Sequence, residues 1–171
     1  MGGDAYVALG SNIEPFGHIE KALALLAQRV GMQGVSSFYR TAPIGAPGQP
    51  DYLNGVARLS VTGDAHGLKF GILREIENEL GRLRNSDKYA PRSIDLDILL
   101  FANEVIDEPG LEVPDPDIWT RPFLVAGLLE LWPDAMLPDG TRVATLFEEN
   151  ELRQLIRETE FSRRMQERFG A

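Results

Sequence analysis

Apolar and polar positions alternate along this chain with two different periods, and the changeovers mark its elements. Residues 5–9 form a short apolar run that ends at Gly10, Ser11 and Asn12, as a strand running into a turn does. Pro15 then suits a helix start, and Ile19, Leu23, Leu26 and Val30 supply a stripe at helical spacing that Gly31 and Gly34 close. Residues 35–41 read as a second strand, and the Gly- and Pro-rich residues 44–51 as a loop. From 52 to 61 the period is two, with Leu53, Ala57, Leu59 and Val61 on one face and Tyr52, Asn54, Val56 and Arg58 on the other. Asp64 is placed to cap a helix whose stripe is Leu68, Ile72, Ile76, Leu80 and Leu83. A buried strand follows over 94–101, then an irregular stretch to about 120 with a short hairpin near 104–113.

Thr120 and Pro122 open a further helix that buries Val125, Leu128, Leu129 and Trp132 and stops at Pro133. Asp139 and Gly140 make a turn, and residues 143–169 read as one charged helix, broken near its middle. Two strand-helix-strand units in succession, with strands two and three adjacent, predict a ferredoxin-like α+β fold. It has a mainly antiparallel sheet with helices packed against it. Residues 1–142 would form the catalytic domain, and 143–171 a helical extension packed on it.

Composition narrows the class. Of 171 residues, 43% are hydrophobic and 25% charged, the usual mix of a globular domain, and no window approaches the length of a membrane span. With no cysteine and no secretory signal pattern, the cytoplasm is the expected compartment. A net charge of −9 argues against nucleic acid as a partner. Residues 82–92 run against that charge, with Arg82, Arg84, Lys88 and Arg92 set against the single acid Asp87. Such an island in an acidic chain is either a solvated loop or an anion site.

Immediately after it come Asp95 and Asp97, two apart on an apolar strand, so their carboxylates share a face. Ionised carboxylates in such a setting call for a cation. Zinc is a poor candidate, since His18 and His66 lack ligand spacing, whereas magnesium suits one or two carboxylates completed by substrate phosphates. The Gly-rich motifs of the P-loop and Rossmann cradles are absent, so side chains would hold the phosphates. Acids for a metal beside arginines for phosphate suggest phosphoryl-transfer chemistry. Tyr52, Tyr89 and Phe123 stand beside turns or helix starts. They either close the core or make a flat slot for a heterocycle whose polar edge Asn54 would read.

Taken together, these segments resemble the hydroxymethyl-dihydropterin pyrophosphokinase family of the folate pathway. The likeness rests on Leu9-Gly10-Ser11-Asn12, on residues 37–43 and 49–54, on Gly81-Arg82-Leu83-Arg84 and residues 88–99, and on Val113-Pro114, Arg121 and Phe123. It runs in order from about residue 5 to about 140. The resemblance implies transfer of pyrophosphate from ATP to the hydroxymethyl group of the pterin, with release of AMP. It implies two magnesium ions on Asp95 and Asp97, and Arg82 and Arg92 neutralising the transferred group. Glu77, Arg84, Tyr89, Ile98 and Arg121 would lie on the nucleotide side. Tyr52 and Phe123 would sandwich the pterin, with Thr41, Ile44 and Asn54 at its edge. The expected partners are these two small molecules; the chain would act as a monomer, with self-association through the C-terminal helix as the alternative.

One position departs from the family pattern. After Val113-Pro114 the family usually carries His-Pro near the nucleotide phosphates, and here the pair is Asp115-Pro116. A negative charge there repels ATP unless Arg121 or another cation offsets it. A catalytically impaired pterin- or nucleotide-binding regulatory domain is therefore the competing reading, although it would need none of Arg82, Arg92, Asp95 and Asp97. A different Asp-x-Asp metal-dependent nucleotide transferase is a third.

Overall fold

The computed structural model describes residues 2–43, 45, 47–81 and 93–170. Its centre is a six-stranded antiparallel sheet in the order β5-β1-β4-β3-β8, with β2 also paired to β4. Strand β1 spans Gly3–Ser11, β2 Gly31–Val35, β3 Tyr39–Thr41, β4 Tyr52–Val61, β5 Asp95–Phe101 and β8 Ile156–Arg157. A separate hairpin joins β6 (Ile106–Glu108) to β7 (Leu111–Val113). Helices α1 (Pro15–Arg29), α2 (Arg74–Glu79) and α5 (Thr159–Phe169) contribute to a core on one side of the sheet, where Leu9, Leu23, Leu59, Leu96 and Phe161 meet. Helix α3 (Pro122–Leu131) covers the other side, packing Val125 and Leu128 with Tyr6, Val56 and Leu99. This is the ferredoxin-like α+β arrangement expected from the order of elements. No helix among the described residues is long and apolar enough to cross a membrane.

Three local expectations needed correction. The second strand is two strands, because residues 36–38 leave the ladder. Ser36 Oγ accepts the Val56 N–H at 2.8 Å, and the Phe38 ring covers Gly55, where a Cβ would lie 2.4 Å from it. The helix after Asp64 begins as a π-helical segment over Gly67–Leu73 before α2 takes over. The Arg74 N–H reaches back five residues to the Lys69 carbonyl, which brings Leu73 fully into the core beside Leu68 and Ile76, while Ile72 and Leu80 pack against it only partly buried. Leu83 lies outside the described residues.

The C-terminal region is not one helix. It consists of a 3₁₀ turn at Val143–Thr145, α4 (Glu149–Arg153), the edge strand β8 and then α5. Phe38 decides the break: its carbonyl accepts the Glu158 N–H and its N–H donates to Ser162 Oγ, which docks β8 beside β3.

Candidate active site

Sheet register builds the floor of the site. On β5, Asp95, Asp97 and Leu99 alternate with Leu96 and Ile98, so the two acids open on the α3 side while Leu96 and Ile98 join the opposite core. Across the ladders Gly10 stands opposite both Asp95 and Asn54, and Ala8 opposite both Asp97 and Val56. Only small residues fit between those side chains. A Cβ on Gly10 would lie 2.7 Å from Asn54 Oδ1. Asn54 in turn donates from Nδ2 to Thr41 Oγ1 at 2.7 Å, and Thr41 pairs with Tyr52 across β3 and β4. Beyond the strand ends, Asn12 Nδ2 donates to Gln49 Oε1 at 3.1 Å and so ties the end of β1 to the loop that leads into β4.

The walls come from other elements. Residues 115–119 are docked on the open edge of β5, where the Asp115 N–H donates to the Leu99 carbonyl at 3.0 Å. Asp115 also caps the 3₁₀ turn Pro116–Trp119 by accepting the Asp117 N–H at 2.9 Å. Arg121 pairs with Asp117 at 3.3 Å, and Pro122 sets the start of α3 so that Phe123 faces the floor. The result is a cleft of about 330 Å³ whose lining includes Thr41, Tyr52, Asn54, Asp95, Asp97, Arg121 and Phe123. A second hollow of about 360 Å³ adjoins it on the far side of Asp97, Asp115 and Asp117, and Ile98 lines that one.

Glu77 sits elsewhere. It is buried behind β5, where its carboxylate accepts the Leu96 N–H at 2.9 Å, so it holds the strand between the two acids instead of lining either hollow. Ile44, Arg82, Arg84, Lys88, Tyr89 and Arg92 lie outside the described residues.

Electrostatics single out Asp115. Burial raises its carboxyl from the usual 3.8 to about 7, and the carboxylates of Asp97 and Asp117 push the same way, against the Asp117 N–H and the Lys69 ammonium. Lys69 is the cation that pattern reading missed. Its Nζ donates to Asp97 Oδ1 at 2.8 Å and to the Leu96 carbonyl at 3.1 Å. A lone lysine beside an apolar stripe carries no signal of its own in the sequence. The π-turn that moves Leu73 into the core is equally hard to anticipate.

The donor set suits magnesium. Two carboxylates on one face draw one cation already, and among the described residues no cluster of three or more acids or histidines forms a complete metal cage. A hard ion would therefore need phosphate oxygens to complete its shell.

Comparison with known proteins decides the family. Residues 6–133 match the model for 7,8-dihydro-6-hydroxymethylpterin-pyrophosphokinase (HPPK). The chain belongs to this family. The 2-amino-4-hydroxy-6-hydroxymethyldihydropteridine pyrophosphokinase of Haemophilus influenzae is 38% identical over 146 residues, which cover 83% of this chain and 89% of that protein. The Pseudomonas aeruginosa enzyme of the same name is 40% identical over 144 residues, covering 82% and 88%.

A Plasmodium falciparum HPPK-DHPS triple mutant, crystallised with pteroate, shares the fold at a TM-score of 0.66 and 13% identity. It covers 99% of this chain, which spans 45% of that longer one. As an HPPK, the chain is an ATP-dependent diphosphotransferase of folate biosynthesis.

Proposed function

We propose that this HPPK carries out its reaction in the cleft between β5, β4 and α3, with the pterin at the Asn54 end and the triphosphate across Asp95 and Asp97. The reaction is pyrophosphate transfer from ATP to the hydroxymethyl group of 6-hydroxymethyl-7,8-dihydropterin. The hydroxymethyl oxygen bonds to the β-phosphorus, the bond from that phosphorus to the oxygen it shares with the α-phosphorus breaks, and AMP leaves as the hydroxyl proton is released. Little covalent chemistry is asked of the protein; it has to position the reactants and compensate charge.

The observation that carries this assignment is the convergence of Thr41, Tyr52, Asn54 and Phe123 with Asp95 and Asp97 in a single cleft, although they come from four elements. Tyr52 and Phe123 would stack on the pterin, and Asn54 and Thr41, already hydrogen-bonded to each other, would meet its polar edge, with Ile44 beside them. Asp95 and Asp97 would hold two magnesium ions, which would supply charge compensation for the phosphates and ease loss of the hydroxyl proton. Arg121 and Ile98 would face the nucleotide, with Arg84 and Tyr89 assigned to the same side by the family resemblance. Arg82 and Arg92 would neutralise the transferred group, and that role rests on sequence alone.

A cysteine-free chain that consumes ATP suits the cytoplasm, and we assign it there as a monomer.

The test is to mix the protein with magnesium, ATP and hydroxymethyl-dihydropterin and to separate the products. AMP and the pterin diphosphate are expected. Formation of ADP overturns the reading, and tight binding of both ligands without turnover would favour the regulatory-domain alternative.

A further inference from the structure

Lys69 enters the site from an unexpected direction. It belongs to the π-helical segment on the far side of β5, yet its side chain reaches past the open edge of that strand to Asp97 and the Leu96 carbonyl. The second hollow, on the far side of the acid pair, is walled by Asp97, Glu108, Glu112, Asp115 and Asp117, and among its described lining residues Lys69 is the sole cation. Arg121, which lines the first cleft, is paired to Asp117. An anion approaching Asp97 from the hollow therefore meets five acids and one ammonium. The Lys69 side chain is only 16% exposed, so water screens that ammonium poorly and its charge acts at close to full strength on its neighbours.

We propose that Lys69 is a positioning residue for the nucleotide: fixed by Asp97 and the β5 backbone, its ammonium offsets Asp115 and so lets a triphosphate settle beside the acid pair. The inference rests on the reading of the cleft as the pyrophosphokinase site. It adds a residue from an element that supplies no other part of that site. The charge count dictates the expected behaviour. Removing Lys69 makes the hollow one charge more negative and repels phosphates further, removing the Asp115 charge makes it one charge less negative and repels them less, and removing both returns the net charge to its starting value.

The test is calorimetric binding, with saturating magnesium, of an ATP analogue whose α- and β-phosphates are bridged by methylene. Lys69→Met is expected to weaken binding roughly tenfold and Asp115→Asn to tighten it several-fold, about 3 or more. The double variant should return to within roughly threefold of the unaltered protein, and Lys69→Arg should keep near-normal affinity. Unchanged affinity in Lys69→Met, or a double variant as weak as Lys69→Met alone, overturns the proposal while leaving the active-site reading intact. Should Lys69→Met fail to fold, Asp115→Asn decides alone, and unchanged or weaker binding there overturns it. Failure of the unaltered protein to bind the analogue would overturn both.

Discussion

The two ends of the cleft are built by different means. At the end we assign to the pterin, Asn54 and Tyr52 come from β4 and Thr41 from β3; Thr41 pairs with Tyr52, and Gly10 stands opposite Asn54. At the end we assign to the nucleotide, Lys69, Asp115, Asp117 and Arg121 come from a π-helical segment, a 3₁₀ turn and a helix entry, each bonded separately to β5 or to a neighbour. The acids Asp95 and Asp97 sit where the two constructions meet. A sheet propagates a local rule over several strands, so the first end is determined once the pleat is set. The second end depends on charges that come near one another only after several segments have docked, so a single substitution there changes the field felt by all of them.

The largest expected effect lies at the junction. Asp97→Ala should lower kcat/KM by 10²-fold or more, about 3 kcal/mol of transition-state stabilisation, and steady-state kinetics would check it. Full activity would detach both ends from the acid pair.

Next comes the support beneath it. Glu77→Leu leaves the buried Leu96 N–H without its carboxylate partner and should destabilise the fold by about 1–3 kcal/mol, read from urea denaturation. An unchanged midpoint would show that β5 is held by its ladder alone.

Gly10→Ala separates the two ends. The added methyl displaces the Asn54 side chain and strains its bond to Thr41, so KM for the pterin should rise roughly tenfold. Affinity for the nucleotide analogue should stay within about twofold, and a common loss for both ligands would erase the distinction between the ends.

The smallest effect is a pH dependence confined to the nucleotide end. The Asp115 carboxyl titrates near 7 in the folded chain and near 3.8 when unfolded, so between those values the folded state binds the extra proton. Stability therefore falls as pH rises from the lower value to the higher, and the full loss stands above 7. Asparagine keeps an oxygen to cap the turn and cannot ionise. In the absence of magnesium, melting temperatures of Asp115→Asn and the unaltered protein should agree near pH 4. By pH 8 the variant should lead by a few degrees, about 1 kcal/mol after allowing for the carboxyl's partial exposure to water. Parallel curves would place the Asp115 carboxyl in water.

Pattern reading reached the Asn54 side of the cleft because period-two alternation over 52–61 assigns Tyr52, Asn54, Val56 and Arg58 to one face, which is the face that α3 covers. The same rule put Asp95 and Asp97 together. The family resemblance implies a place for Glu77 on the nucleotide side, whereas its carboxylate turns to the β5 backbone, a direction that its position one off the helical stripe does not reveal. The alternation over 143–169 gives a charged helix with a break near its middle but not the two-residue strand inside that break, whose partner lies more than a hundred positions away.

What the order of residues settled by itself was therefore whatever follows from local periodicity and from motif identity: the long strands β1, β4 and β5, the face shared by the two aspartates, the family and its chemistry. What only the tertiary structure decided was the electrostatic setting of Asp115. Lys69 lies 46 positions earlier and reaches it through a π-turn and around a strand edge. Coulomb interactions depend on distance in space and on exposure to water, and neither is encoded in spacing along a chain.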